Sequence, residues 1–291
     1  HVGGINYPRG GVGKIAERFV EGLEKFGGGI RYKANVVEIL IENKKAFGVR
    51  LSNGEKLYAK NVVSNSTRWD TFGLDKEMNG LIKKEFVPKS EYKWSEIYKP
   101  SPSFVSIHLG IDEHVIDSKL NCHNIIVDSW EELEKEKGVI FISIPTLLDP
   151  SLAPEGKHII HAFTPSSFEE WENLSRKEYI QKKDEYLSFI LKKISKLIPN
   201  IHDSIDHKEI GTPKTHKKFL GRYKGSYGPI PNTKLLGLLP MPFNTTKINN
   251  LYCVGDSCFP GQGLNAVAFS GFACAHKIGS KLNINNAQLP I

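Results

Sequence analysis

The sequence is poor in cysteine, with four in 291 residues: Cys122, Cys253, Cys258 and Cys274. Four scattered cysteines cannot form the disulfide framework of a small secreted domain, so a reducing compartment fits best. Cys253 and Cys258 are spaced C-x4-C, but no second Cys pair or His pair follows at zinc spacing, and no metal is expected. No run of about 18 apolar residues occurs, so no membrane-spanning helix is expected. Acidic residues are the minority, 32 against 39 Lys plus Arg, which gives a formal net charge of +7. The excess is partly local. From Lys208 to Lys224, the residues Lys208, Lys214, Lys217, Lys218, Arg222 and Lys224 stand against Glu209 alone. Such a patch faces either phosphates and an anionic membrane surface or simply water. No RNP, helix-turn-helix or zinc-finger signature is present, so nucleic acid is not an expected partner.

What is present is globular in character. Hydrophobic residues make up 40% and charged residues 24%, near the averages for folded domains. The length suits two domains at about 150 residues each. The chain starts at His1, not Met, and runs into Gly3-Gly4, so it reads as a cut inside a longer protein.

Periodicity places the elements. Val12, Ile15, Ala16, Phe19, Val20, Leu23 and Phe26 form one face of a helix that Gly27-Gly28-Gly29 ends. Ile30 to Ile41 is strand-like, Asn43-Lys44 turns the chain into Ala46 to Leu51, and Asn53-Gly54 makes a hairpin into Lys56 to Ala59. Val62-Val63 continues as a short strand. This order predicts α/β organisation with an antiparallel insert. From about Thr67 the pattern changes to β-like runs at Phe104 to Leu109, Val139 to Ile144 and His158 to Phe163. Ser167 with Glu170, and Ser175 with Glu178, have capping-box spacing. The second opens a helix carrying Ile180, Leu187, Ile190, Leu191, Ile194, Leu197 and Ile198, stopped by Pro199. This region reads as a separate α+β domain. At the end, Leu251 to Cys253 is a buried-type strand leading through Gly255-Asp256 and a loop into a helix from about Gly263. That helix sets Leu264, Val267, Ala268, Gly271, Phe272, Ala275 and Ile278 on one face.

Two motifs invite and fail a nucleotide-binding assignment. Pro8 to Lys14 has the look of a P-loop, but Ile15 stands where Ser or Thr is needed. Gly261-Gln262-Gly263-Leu264-Asn265-Ala266 fits G-x-G-x-x-A, yet a loop separates it from its strand and the tail from Ala287 to Ile291 offers no acidic strand. The helix start remains suited to an electron-rich ligand oxygen. Asp256 is placed to accept hydrogen bonds from sugar-type hydroxyls, or else is simply exposed. No histidine pairs with a Ser nucleophile in an elbow motif. The apolar run Leu235 to Phe243 lines a pocket, touches a membrane or packs in a core.

Longer stretches carry a family likeness. Gly3 to Val12 (GGINYPRGGV), Val63 to Phe72 (VSNSTRWDTF), Gly211 to His216 (GTPKTH), Gly225 to Pro229 (GSYGP), Met241 to Thr246 (MPFNTT) and above all Leu251 to Gly271 resemble the plant and cyanobacterial carotenoid isomerases. That family is similar to phytoene desaturases, retinol saturases and amine oxidases. The resemblance covers nearly the whole chain. It implies an α/β fold: a partial, glutathione reductase-like FAD-binding domain with an inserted α+β substrate domain. Residues 1–66 and 245–291 would be the FAD-binding parts and 67–244 the substrate domain. The family's N-terminal β-α-β unit, which holds the ADP half of FAD, is not matched.

By the same resemblance the cofactor is FAD in its reduced form. Gly255 and Asp256 would meet its ribityl or pyrophosphate region. The backbone of Gly263, Leu264 and Asn265 would face the flavin ring, and Val36 would lie at adenine. The implied reaction converts poly-cis-lycopene to all-trans-lycopene without net redox change, with no catalytic side chain assigned. Plastid localisation and peripheral membrane contact follow from the resemblance alone. A carotenoid desaturase or retinol saturase-type oxidoreductase, and a split or inactive fragment acting only through binding, are the alternatives.

Overall fold

The computed structural model describes residues 6–75, 79–117, 119–133, 135–232 and 241–284. Gly3 to Ile5, the apolar residues Leu235 to Pro240 and the tail Ala287 to Ile291 lie outside the described residues. In chain order the regular elements are α1 (Gly13–Lys25), β1 (Val36–Glu42), β2 (Lys45–Leu51), β3 (Lys56–Tyr58), β4 (Val62–Ser64), α2 (Arg68–Phe72), α3 (Lys89–Ile97), β5 (Tyr98–Pro100) and β6 (Ser103–Asp112). There follow β7 (His123–Val127), β8 (Val139–Ser143), β9 (Lys157–Ser166), α4 (Glu169–Glu172), α5 (Arg176–Ile194), β10 (Ile205–Gly211), α6 (Pro213–Leu220), β11 (Pro229–Pro231), β12 (Leu251–Cys253) and α7 (Leu264–Lys281). The chain divides into two compact units, His1–Tyr32 with Pro102–His216, and Lys33–Ser101 with Lys217–Ile291. These divisions fall elsewhere than the boundaries at 66 and 244 read from the sequence.

The first unit is built on a five-stranded antiparallel sheet, in the order β10-β6-β9-β8-β7. Alternation decides its faces: Val105, Ile107, Leu109 and Ile111 of β6 point one way, with Ile160 and Ala162 of β9 and Ile140 and Ile142 of β8. Tyr186, Leu187, Ile190, Leu191 and Ile194 of α5 close over them. The α5 start is the capping box at Ser175 and Glu178 that the spacing predicts. The other expected box does not form: α4 begins after Phe168 with no side-chain cap. With Phe168 and not Ser167 at the N-cap, Glu170 is the second helical residue, one short of the position a capping box needs. The α5 helix ends at Ile194, ahead of Pro199, and Leu197 and Ile198 follow in a turn. In α1 no residue is buried, and Phe19 and Phe26 are each 69% exposed.

The opposite face of the sheet carries rings. His108 stacks on its cross-strand partner His161 at 4.5 Å, and Phe163 contacts both Phe104 and Phe141 at 4.9 Å. Burial, with His108 and His216 nearby, pushes His161 down to about 4. Desolvation disfavours the charged imidazolium.

The second unit holds two small sheets that define its site. The strands β1, β2 and β3 form an antiparallel meander. Its two turns are the expected ones, with Asn43, Lys44 and Gly54 all at positive φ. The predicted strand from Ile30 starts only at Val36, because Ile30 to Asn35 are taken up in loop and turn. The strand β4 pairs with β12 in parallel. Beside them Arg68 of α2 is buried with Glu91 of α3 in a two-bond fork, each contact 2.8 Å, with Phe72 and Trp94 against its guanidinium. The α7 helix does not bury the face read from its apolar residues. Ser270, Cys274 and Gly279 are buried, while Leu264 and Phe272 are about 60% exposed, because Asn244 and Gly255 hydrogen-bond to Ser270 and draw the small face inward. Among the described residues no helix is long and apolar enough to cross a membrane.

Two outcomes are expected from this packing. Glu91→Gln strands the Arg68 charge and should destabilise the fold by about 3–5 kcal/mol in urea unfolding, whereas the double replacement Arg68→Met/Glu91→Leu should lose much less. Equal losses in the two variants would contradict the pair's role. For His161 the unfolded chain binds a proton at about pH 6.5 that the folded chain refuses until about pH 4. Stability is therefore fully present above about 6.5 and declines as pH falls through that window. His161→Gln should flatten this decline, and parallel stability–pH curves for variant and wild type would exclude the effect.

Candidate functional site

A cavity of about 630 Å³ opens in the second unit. Its lining is divided in character. Val36, Ile39, Val49, Val62 and Leu81 make an apolar wall, and Ser64, Asn65, Ser66, Arg222 and Tyr227 make a polar one. The division follows from the strands. Val36, Ile39, Val49 and Val62 come from β1, β2 and β4, with a register shift in β1 between Val36 and Glu38, and Leu81 comes from the loop after α2. Ser64, Asn65 and Ser66 come where β4 ends and the backbone leaves the sheet, the place where parallel strands present ligand-binding loops, and Arg222 and Tyr227 come from the segment between α6 and β11.

The parallel register sets Cys253 beside Ser64, and Val254 N–H donates to Ser64 O at 2.9 Å. The next residues, Asn65 and Gly255, meet closely. Gly255 has φ +92, and a Cβ there would lie 2.5 Å from Asn65 Oδ1, so both backbone conformation and space require glycine. Asp256 is not an exposed acceptor. Arg222 Nη2 donates to its Oδ2, and the two side chains are only 20% and 14% exposed. Arg222 Nε also donates to Ser226 O at 2.5 Å.

The segment that carries Arg222 is fastened along its length. Tyr223 N–H donates to Asp70 Oδ2 at 2.8 Å, Tyr223 Oη donates to Asp75, and Tyr227 N–H donates to Ser101 Oγ at 2.9 Å. Burial raises the Asp70 carboxyl, partly offset by the hydrogen bond from Thr67. Burial also raises the Tyr227 phenol. Gly228, at φ +102, gives room to Gln262, whose Cγ would stand 2.7 Å from a Cβ at that position. Gln262 Nε2 then donates to Pro229 O at 3.3 Å.

The expected site residues are thus partly gathered. Val36 lines the cavity, and Gly255 and Asp256 touch it through Asn65 and Arg222. Gly263, Leu264 and Asn265 are outside its lining and exposed. They form the start of α7, where Gly263 sits at φ +99 and no side chain caps the helix. Helix N–H groups there have no intrahelical partner and favour electron-rich atoms. Sequence reasoning missed Arg222, placing it in a basic run, and missed Asn65 and Tyr227. Asn65 and Tyr227 lay inside the VSNSTRWDTF and GSYGP stretches of family likeness, while Arg222 lay outside them and was marked only by the basic run.

No cysteine is among the described residues lining the cavity. Cys258 is fully buried, 3.6 Å from Arg68 Nη1, and burial pushes its thiol up to about 11. Burial raises Cys253 as well. A thiol held protonated is inert. The arrangement instead suits binding: an apolar wall for a flat ring, hydroxyl and amide groups for sugar hydroxyls, and one guanidinium for a phosphate. Ser226 Oγ is buried and has no hydrogen-bond partner among the described residues. These residues fit part of a dinucleotide.

Comparison with known proteins places this geometry. No family model matches the chain. It is 54% identical over 286 residues to prolycopene isomerase 1, chloroplastic, of an Oncidium hybrid cultivar, covering 98% of this chain and 48% of that protein. It is 51% identical to prolycopene isomerase, chloroplastic, of Arabidopsis thaliana, covering 98% and 47%. A phytoene desaturase of Fusarium fujikuroi is 27% identical, covering 99% and 54%. The chain spans about half the length of the relatives it matches. Among solved structures, an oxidoreductase from Methanosarcina mazei aligns with a TM-score of 0.62 at 19% identity, covering 92% of this chain and 55% of that one. A putrescine oxidase variant aligns at 0.58 and 11% identity, covering 93% and 53%. The α/β fold is therefore one shared with these two oxidoreductases. Over about half of their length, the chain is similar to the prolycopene isomerases at 51–54% identity.

Proposed function

We propose that this chain is part of an FAD-dependent carotenoid isomerase that converts poly-cis-lycopene to all-trans-lycopene without net redox change. The observation that carries the reading is the identity of 51–54% to prolycopene isomerases along 98% of the chain. The phytoene desaturase stands much further off, at 27%. The chloroplastic names of the relatives support a plastid setting, and the hydrocarbon substrate supports peripheral contact with a membrane.

The unit of residues 33–101 and 217–291 takes the cofactor in this reading, and the other unit takes the polyene. Val36 and its neighbours receive the adenine. Asp256, oriented by Arg222, accepts from a hydroxyl of the sugar chain. The start of α7, from Gly263 to Asn265, turns its N–H groups toward the flavin, where a positive dipole end favours negative charge. When bound, reduced flavin supplies electron density to the polyene, lowering the order of the bond that rotates. The protein's part is orientation and exclusion of water.

The test is anaerobic incubation of poly-cis-lycopene with reduced FAD and this chain, alone and joined to the part of the relatives' length that it does not match. All-trans product of unchanged mass is expected in the joined form. A product heavier by two hydrogens would make the protein a saturase, a product lighter by two hydrogens in a parallel incubation with oxidised FAD would make it a desaturase, and no conversion in either form would overturn the reading altogether.

A further inference from the structure

Arg222 is the one charged residue among the described residues lining the 630 Å³ cavity. Its sequence context, inside the basic run from Lys208 to Lys224, gives no reason to single it out. Its geometry does. A guanidinium has five N–H donors in a planar fork. One of them, on Nε, goes to Ser226 O, and one on Nη2 goes to Asp256. The two of Nη1 and the second of Nη2 have no partner among the described residues. These form the outer edge of the fork, the edge that binds two oxygens of a phosphate together. The pair with Asp256 leaves that edge fixed in direction, since both partners are mostly buried and Tyr223 and Tyr227 on either side are tied to Asp70 and Ser101. Asp256, and Asp70 at longer range, offset the charge of Arg222 without occupying these donors.

The rest of the lining agrees with an anionic ligand that has an apolar end. Ser64, Asn65 and Ser66 contribute neutral polar groups beside Arg222, with no carboxylate among the described lining residues, and the opposite wall is aliphatic. A molecule that places a flat ring on Val36, Ile39 and Val49 reaches the polar wall with whatever follows the ring.

We propose that Arg222 is a phosphate-binding residue contributed by this cavity, beside whatever the unmatched β-α-β unit supplies, taking two oxygens of the diphosphate of an adenine dinucleotide on the free edge of its guanidinium. The proposal rests on the FAD reading above but assigns a contact that this reading leaves open.

ADP and adenosine, titrated at up to millimolar concentration against the full chain by calorimetry, separate a phosphate contact from a ring contact. Wild type should bind ADP at least about tenfold more tightly than adenosine, the range of a charge-assisted pair of hydrogen bonds. Arg222→Gln should bring that ratio below about 2 and leave adenosine affinity nearly unchanged, while Arg222→Lys, which keeps the charge without the fork, should fall between. Arg222→Lys decides the matter if Arg222→Gln does not fold. An undiminished ratio in the folded Arg222→Gln or Arg222→Lys protein, or no ADP preference in wild type, overturns the proposal. Isomerisation without an ADP preference would sink this contact and leave the function standing. An Arg222-dependent ADP preference without isomerisation would do the reverse.

Discussion

Val62 to Ser64 and Leu251 to Cys253 are far apart in the sequence, and their parallel pairing gathers the cavity. It sets Ser64 beside Cys253 and so brings Asn65 against Gly255. Three-residue strands contribute few ladder bonds of their own. The pairing holds because each strand is also anchored from outside. Asn244 bonds to Cys253 on both its amide and backbone sides, and the same side chain reaches Ser270 of α7. Ser64 Oγ meets Thr71 of α2 at 2.8 Å. A short parallel pair is thereby fixed by polar groups that are themselves buried and partnered, which is the condition under which such groups add order instead of instability.

Charge is handled differently at two depths. The fork of Arg68 on Glu91 is almost wholly buried and flanked by aromatic rings; both oxygens of the carboxylate are used, and the pair contributes a unique packing more than net stability. Arg222 with Asp256 lies nearer the surface and uses only part of its donor set. The first pair is saturated and structural. The second belongs to a residue that lines a cavity and keeps donors without a partner among the described residues, which is what a binding group requires.

Some of this was readable from residues alone. The turns at Asn43-Lys44 and Asn53-Gly54 depend on φ > 0, which only a few residue types adopt, so their chemistry is local. The box of Ser175 and Glu178 is local too. The runs in β6, β8 and β9 alternate strongly enough to declare themselves. The strands β7 and β10 do not, since β10 is a mostly exposed edge strand whose residues answer to water and not to a core. The α7 face was misjudged for a related reason. Periodicity ranks residues by hydrophobicity, but Ser270 is drawn inside by partners contributed from other elements. In the site, Val36, Gly255 and Asp256 were named through family likeness. Arg222 was not, because a cation in a basic run has no sequence mark that says it points inward.

By itself the sequence determined the local geometry, in turns, caps and strand alternation, and carried a family likeness in stretches such as YCVGDSCFPGQG. The first depends on interactions within a few residues, the second on similarity to relatives at 51–54% identity. The tertiary structure alone decided which polar groups meet. Asp256 found Arg222, Gly255 found Asn65, and Tyr223 found Asp70, each across a long stretch of chain. Such encounters depend on strand register and loop path, and a one-residue slip in either would separate them.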